Sequence, residues 1–493
     1  MKRLLLFSAT AFLAASLTAL AQLPQQTHSK LALVNGTSIN PADGKTIRNA
    51  TIIIDGEKIA AIGSPNETKI PPNARQIDCS GKFILPGYID THIHFFQSGD
   101  LFTRPDVVDL TSVRPYKEEV AWIKSHLDDT FARYLRSGIT SVVDVGGPMW
   151  NFEVRRRANA TAKAPRVAVA GPLISSVARP QLDLGDPPIV KIDTPDQGRA
   201  FVRRLAAEKP DYIKIWYIVP PPSLASSPAA SPAPAQSDVE RAALFRPVVR
   251  AVIAESHARK LRVAVHATEL EAARAAVAEG ADLLVHSVTD KPVDDAFVKL
   301  LQEHGTTLTP TLVVFERYGR TFAHRLNLTR EEKSWGNPEV IATLDVTKLS
   351  PDKVPERIKT ALADPDKVLA HIDETYDIAL KNLKTLEDAG IPIAAGTDAG
   401  NIGTIHGPAL FREFQLMKEA GLTPAQILKS ATATAAKTFG GETGGRIGVI
   451  APGYFADLVV LNSNPLDDIT HASDIQTVIK AGVVYPADSI VPH

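Results

Sequence analysis

Apolar and polar positions alternate in the manner of strands at both ends of the chain. Leu31-Ala32-Leu33-Val34 and Ala50-Thr51-Ile52-Ile53-Ile54 carry this pattern near the start, and Asp55-Gly56 supplies a turn before Ile59-Ala60-Ala61-Ile62. The same texture returns over 456–461 and 477–484. Neither end holds enough apolar strands to enclose a core alone, so the pattern predicts one small β-sandwich domain built jointly from residues 22–86 and 443–493. Between them, short apolar runs alternate with helix-length amphipathic stretches. Eight strands are expected, at 88–94, 139–145, 166–171, 212–217, 262–267, 282–287, 306–312 and 392–398. Eight such alternations predict an α/β chain whose residues 87–442 form a (β/α)8 TIM barrel. A doubly wound sheet is the rival, but no glycine-rich phosphate loop follows the first strand.

Three segments break this rhythm. Lys2-Arg3, an apolar run and Ala19-Leu20-Ala21 make residues 1–21 an expected signal peptide, cleaved near Ala21, so that the mature protein is exported to the periplasm or secreted. A Pro/Ala/Ser tract over 220–236 follows the fourth expected strand, and a charged stretch over 315–365 follows the seventh. Both lie at strand C-termini, the face that carries barrel active sites, and are expected to cover a pocket there.

Composition narrows the classes of function. The formal net charge of −1, with 44 % hydrophobic and 22 % charged residues, is globular and argues against nucleic-acid binding, which needs a basic excess. The single cysteine, Cys79, excludes an intramolecular disulfide framework and a cysteine metal cage. After the signal no segment is apolar enough to span a bilayer, so no membrane association is expected beyond export.

The densest chemistry is Asp90-Thr91-His92-Ile93-His94, at the end of the first expected barrel strand. Residues two apart in a strand face one side, so His92 and His94 project together toward the barrel mouth, where two imidazoles can share a cation. His266, His286 and Asp398 end three further strands. Each alone fits a hydrogen-bonded core residue as well as a ligand, but five ionisable groups converging without a metal are costly to desolvate. Lys214 stands inside the apolar run Tyr212-Ile213-Lys214-Ile215-Trp216, where an ammonium must lose its proton, find a partner or snorkel to the rim. Trp216 shares the inward face of Lys214 and, with Tyr217, is a candidate substrate contact. His406, eight residues after Asp398, is a candidate to touch substrate or brace Asp398.

These residues lie in stretches that resemble the amidohydrolase superfamily, in particular the branch of imidazolonepropionase-like proteins and metal-dependent prolidases and dipeptidases. The matching segments are Leu85-Pro86-Gly87-Tyr88-Ile89-Asp90-Thr91-His92-Ile93-His94, Asp211-Tyr212-Ile213-Lys214-Ile215, Ala264-Val265-His266-Ala267, Leu284-Val285-His286, Gly396-Thr397-Asp398 and Ala451-Pro452-Gly453-Tyr454-Phe455-Ala456-Asp457-Leu458. The resemblance implies a barrel with a small β domain and a metal-dependent hydrolase of amide bonds, with a dipeptide or small peptide-like substrate favoured. In the dipeptidase branch the lysine at the Lys214 position is carboxylated by carbon dioxide and bridges two divalent ions, here expected to be Zn2+. His92, His94 and Asp398 would then hold one ion and His266 and His286 the other. A metal-activated hydroxide would attack the carbonyl carbon, and Asp398 would shuttle the proton to the leaving amine.

Other members use one metal and an acid three residues after the histidine of the fifth strand, a place held here by Glu269. The same glutamate also fits a plain first-turn residue, behind a capping box of Thr268 and Glu271. A mononuclear cyclic-amide hydrolase or deaminase, a lactone or organophosphate hydrolase, and a non-catalytic binding protein remain alternatives, and a homo-oligomer is left open. The family's glycine-rich, histidine-containing stretch after the third strand is absent. Gly171-Pro172-Leu173 leads instead toward Arg179, a candidate for binding a substrate carboxylate.

Overall fold

The computed structural model describes residues 30–219 and 236–491. The expected signal peptide, and all of the Pro/Ala/Ser tract but Gln236, lie outside the described residues. Five strands open the chain: β1 (Leu31–Asn40), β2 (Lys45–Asp55), β3 (Lys58–Gly63), β4 (Arg75–Asp78) and β5 (Phe83–Pro86). Nine follow in the centre: β6 (Tyr88–Ile93), β7 (Ile139–Asp144), β8 (Arg166–Val169), β9 (Leu173–Ser175), β10 (Ile189–Lys191), β11 (Tyr212–Trp216), β12 (Arg262–His266), β13 (Leu283–Val285) and β14 (Thr307–Thr309). Three close the chain: β15 (Leu458–Leu461), β16 (Ile475–Lys480) and β17 (Val483–Pro486).

The terminal segments share one eight-stranded sheet, ordered β17-β16-β15-β5-β1-β2-β3 with β4 on β1. The joint is β5, which pairs parallel with β1 at Thr37↔Phe83 and antiparallel with β15 at Leu85↔Val459. Period-two alternation explains why both faces are apolar at the centre: Leu31 and Leu33 enter one buried cluster with Ile52, Leu458 and Ile479, while Ala32 and Val34 enter another with Ile53. Hydrogen bonding is continuous through all eight strands.

The central strands are parallel and form two ladders, β6-β7-β8 and β10-β9-β11-β12-β13-β14, rather than one closed sheet. Seven of the expected strands appear within these ladders, and β9 and β10 add to them. The eighth, expected at 392–398, contributes only the isolated bridge Leu308↔Ile393, and the bridge Ile93↔Ala399 follows one residue beyond it. Its backbone nevertheless connects the ladder edges, through Ala394 N to Leu308 O at 2.8 Å, Thr91 N to Ala395 O at 3.0 Å and Asp398 N to His92 O at 2.7 Å. Two local features interrupt it. A Cβ on Gly396 would stand 2.9 Å from the His92 nitrogen, and Asp398 adopts a left-handed φ of 60°.

The 315–365 stretch folds as helices, including Leu312–Phe322, Arg330–Trp335, Pro338–Thr343 and Glu356–Ala363. They bury Phe322, Leu344 and Ile358 in a separate apolar cluster with Leu101, Val108 and Ile402 from loops that follow β6 and Asp398. That cluster holds the helices at the edge of the site.

Candidate metal centre and its cavity

Six side chains from five separate segments of the chain line one cavity of about 360 Å³: His92, His94, Lys214, His266, His286 and Asp398. Strand geometry places them. His92 ends the inward-facing positions of β6 and His94 follows at once, while Lys214 and His266 sit on neighbouring strands in register, Lys214↔Ala264 and Trp216↔His266. His286 and Asp398 leave their strands with φ of 77° and 60°. Left-handed backbone at two non-glycine residues is costly, and here it turns both side chains into the same space.

Distances are short throughout. Asp398 Oδ1 lies 3.1 Å from His94 Nε2 and 3.4 Å from His92 Nε2, and the two imidazole nitrogens are 3.3 Å apart. Ligand atoms of His92, His286 and Asp398 all fall within 4.8 Å of one another. The rings continue as a chain, with centroids 4.8 Å apart for His92 and His286 and 4.4 Å for His286 and His266.

Electrostatics favour the ligand forms. Burial holds His92, His266 and His286 well below the ordinary imidazole range, and the charge of Lys214 adds to the effect, so the rings are neutral at neutral pH. Burial also pushes Lys214 down to about 7, against an opposing pull from Asp398. His94 Nδ1 donates to the Gly146 carbonyl at 2.6 Å, and His286 Nδ1 meets Thr311 Oγ1 at 2.6 Å, which orients both rings and leaves Nε2 toward the cavity. His92 Nδ1, Lys214 Nζ and Asp398 Oδ1 are buried without a hydrogen-bond partner. Orphaned polar atoms of this kind are expensive unless a cation or ligand meets them, so the donor set fits a divalent metal.

The secondary candidates divide. Trp216 lines the cavity, with its ring 5.9 Å from His266. Tyr217 does not: the alternation of the strand sends it outward into the core, where its hydroxyl donates to the Ala242 carbonyl and its ring meets Phe245. His406 is also corrected. It is buried away from the cavity, between the Tyr134 hydroxyl at 2.7 Å and the Gln97 carbonyl at 2.8 Å, and bonds neither Asp398 nor the cavity histidines. Arg179 lies over the Trp216 ring at 4.9 Å and pairs with Asp106 at 3.4 Å, so its charge is already met outside the cavity lining. Glu269 lies outside the lining too, although its neighbour Thr268 belongs to it. The expected capping box is replaced by a cap from elsewhere, with Leu270 N donating to Asp290 Oδ1 at 2.9 Å.

Sequence reasoning missed the outer wall. Phe315 and Tyr318 come from the helix Leu312–Phe322, Arg357 from the helix Glu356–Ala363, and Arg104 and Asn401 from loops. The first of these helices is fixed by Glu413, whose carboxylate accepts from Leu312 N at 2.9 Å and Val313 N at 2.8 Å.

Comparisons with known proteins give the family and the fold. The profile of the Amidohydrolase family matches residues 83–485. Ochratoxinase of Aspergillus niger is 25% identical over 501 residues, covering 94% of this chain and 88% of that protein. Imidazolonepropionase of Streptomyces avermitilis is 24% identical over 432 residues, covering 85% of this chain and 81% of that protein. Among solved structures, a Xaa-Pro dipeptidase with methionine bound in its active site superposes with a TM-score of 0.65 at 24% identity, covering 93% of this chain and 100% of the other.

Proposed function

From its membership of the amidohydrolase family, which the match over residues 83–485 shows, we propose that this chain hydrolyses the amide bond of a dipeptide or small peptide-like substrate. The observation that carries the reading is the gathering of four histidines, Lys214 and Asp398 around one cavity. His92, His94 and Asp398 would hold one divalent ion and His266 and His286 a second, with Zn2+ suited to the nitrogen-rich set. When bound, such ions polarise a scissile carbonyl and lower the pKa of a water.

Lys214 completes the set by changing its charge. Its neutral amine attacks carbon dioxide, an N–C bond forms, a proton leaves to solvent, and an anionic carbamate replaces the ammonium that two dications would repel. Asp398, with Oδ1 free of hydrogen bonds, accepts a proton from the attacking water and returns it to the leaving amine nitrogen. The apolar wall of Phe96, Trp216 and Phe315 excludes bulk water around that transfer. The mononuclear reading through Glu269 has no comparable support, because that carboxylate stands outside the cavity lining.

The same proposal takes the central ladders as one (β/α)8 barrel over 87–442, the terminal sheet as a composite domain over 22–86 and 443–493, and residues 1–21 as an export signal. The test is metal content per chain, intact mass under non-acidic conditions, and amine release from a panel of dipeptides and N-acyl amino acids. Two ions, the added mass of one carbon dioxide on Lys214 and amine release support it. One ion without the adduct overturns the binuclear site, and a fully loaded protein that cleaves no amide overturns the activity.

A further inference from the structure

We propose that Arg357 is the counter-ion for a carboxylate on the substrate, so that the cavity selects amides bearing a free carboxylate. The inference rests on the amide-hydrolase reading of the same cavity and adds to it a substrate class and the residue that recognises it.

Three basic side chains line the cavity, and they differ in what already meets them. Lys214 is buried among the metal-site residues. Arg104 is fully engaged: Nε and Nη2 each reach an Asp106 oxygen at 2.7 Å, while Nη1 donates to Asn401 Oδ1 at 2.7 Å and to the Tyr318 hydroxyl at 3.2 Å. A bidentate pair of this kind satisfies a guanidinium and leaves it little to offer a ligand. Arg357 has no such partner. Its Nη1 donates to the Val107 carbonyl at 3.3 Å and its guanidinium carbon stands 5.4 Å from the centre of the Phe322 ring, and no carboxylate pairs with it among the described residues.

Nor does a nearby acid remain to neutralise it. Asp106 is shared between Arg104 and Arg179 and does not pair with Arg357. Asp398, the acid among the cavity residues, lies against His92 and His94 and pairs with no arginine. The cavity lining therefore combines the histidine and aspartate cluster, the guanidinium of Arg357 and the apolar surfaces of Val314 and Phe315. A substrate complementary to that lining has an amide, an apolar side chain and a carboxylate. Arg357 is ready for the last of these because its helix is anchored by buried Ile358 and its guanidinium rests on an aromatic face, which lowers the ordering cost of binding.

The test separates recognition from turnover. Full-length protein loaded with zinc is titrated calorimetrically with 3-phenylpropanoate and with 4-phenylbutan-2-one, a neutral analogue of similar shape, neither of which has a bond to cleave. Wild type should prefer the carboxylate by roughly 10-fold or more, Arg357→Gln should bring the preference below roughly 2-fold, and Arg357→Lys should keep part of it. Equal binding of both probes by wild type, or a carboxylate preference that survives in Arg357→Gln, as coordination at the metal centre alone would give, overturns the proposal. Hydrolysis of N-acetyl-L-phenylalanine is followed in parallel. A carboxylate preference that depends on Arg357 without any amide cleavage counts against the proposed activity and leaves the recognition site standing.

Discussion

Lys214 and Lys480 are both buried, and their surroundings are opposite. In the terminal sheet, Lys480 Nζ lies 3.5 Å from Asp457 Oδ1, and Arg166 Nε lies 2.7 Å from Asp457 Oδ2, so one carboxylate serves two cations. Burial pushes Lys480 down and Asp457 pulls it back. Lys214 Nζ has no hydrogen-bond partner, and burial takes it down to about 7. The comparison teaches how to separate structural from functional burial of charge. A buried ion whose partner comes from the fold holds the fold together, whereas one left without a partner awaits something the chain does not supply.

The largest effect follows from removing the unpartnered lysine. Lys214→Met should lower kcat/KM for any amide substrate by roughly 10^3-fold, with loss of bound metal, while the unfolding midpoint of the metal-free protein stays the same or rises, because an unpaired buried amine is replaced by an apolar chain of similar length. Metal analysis and denaturant titration measure the two halves. A variant that keeps its metal and its rate would erase the distinction between the two lysines.

The next effect belongs to the paired lysine. Asp457→Asn leaves Lys480 and Arg166 buried with no anion between them, which should cost about 3 kcal/mol in urea unfolding. Activity per folded molecule should be retained. A loss of turnover without a loss of stability would show that the terminal sheet acts on the site directly.

A smaller, pH-dependent effect sharpens the comparison. Lys214 must be neutral to take up carbon dioxide, and its ordinary value of 10.5 is lowered to about 7. Its proton is therefore lost in the folded protein as pH rises through about 7, and carbon dioxide uptake by the metal-free protein should climb across that interval and level off above it. Intact mass after brief exposure to bicarbonate at graded pH reads the curve. Uptake confined to pH near 10 would place Lys214 in the same class as a solvated lysine. The linked stability has the same sign: between about 7 and 10.5 the unfolded chain binds more protons at this residue, so the metal-free fold gains stability as pH rises through that window.

The six cavity residues were legible because each sits in or at the end of a short apolar run, and the two-residue period of a strand fixes which side chains face the same way. His92 with His94 and Lys214 with Trp216 follow from that rule alone. The eighth strand was legible only in part, since Gly396 and Asp398 fit the composition of a strand end yet break its ladder by close approach and left-handed backbone. The outer wall left no trace of this kind. Arg104, Tyr318, Asn401 and Arg357 meet through a hydrogen-bonded loop and a helical excursion whose relative placement depends on a buried cluster joining Leu101, Phe322, Ile358 and Ile402, contacts with no local periodicity. Arg179 shows the same limit, because its charge looks free in the sequence and is met by Asp106 in the fold.

The smallest predicted effect applies the same distinction to a neighbour on the lysine's own strand. Trp216 and Tyr217 are adjacent, but the strand sends one to the cavity and the other to the core. Tyr217 resembles Lys480 in that the fold supplies its partner, the Ala242 carbonyl just inside the helix Asp238–Ala243. Tyr217→Phe keeps the ring against Phe245 and removes one buried hydrogen bond, so it should cost about 1 kcal/mol of stability. Because the hydroxyl never reaches the cavity, KM and kcat should both be unchanged within error. Trp216→Leu, by contrast, should raise KM while leaving unfolding nearly unaffected, since its indole closes the cavity wall beside His266. If the tyrosine variant rather than the tryptophan variant alters KM, the strand is read one residue out of phase, and the inward assignment of Lys214 falls with it.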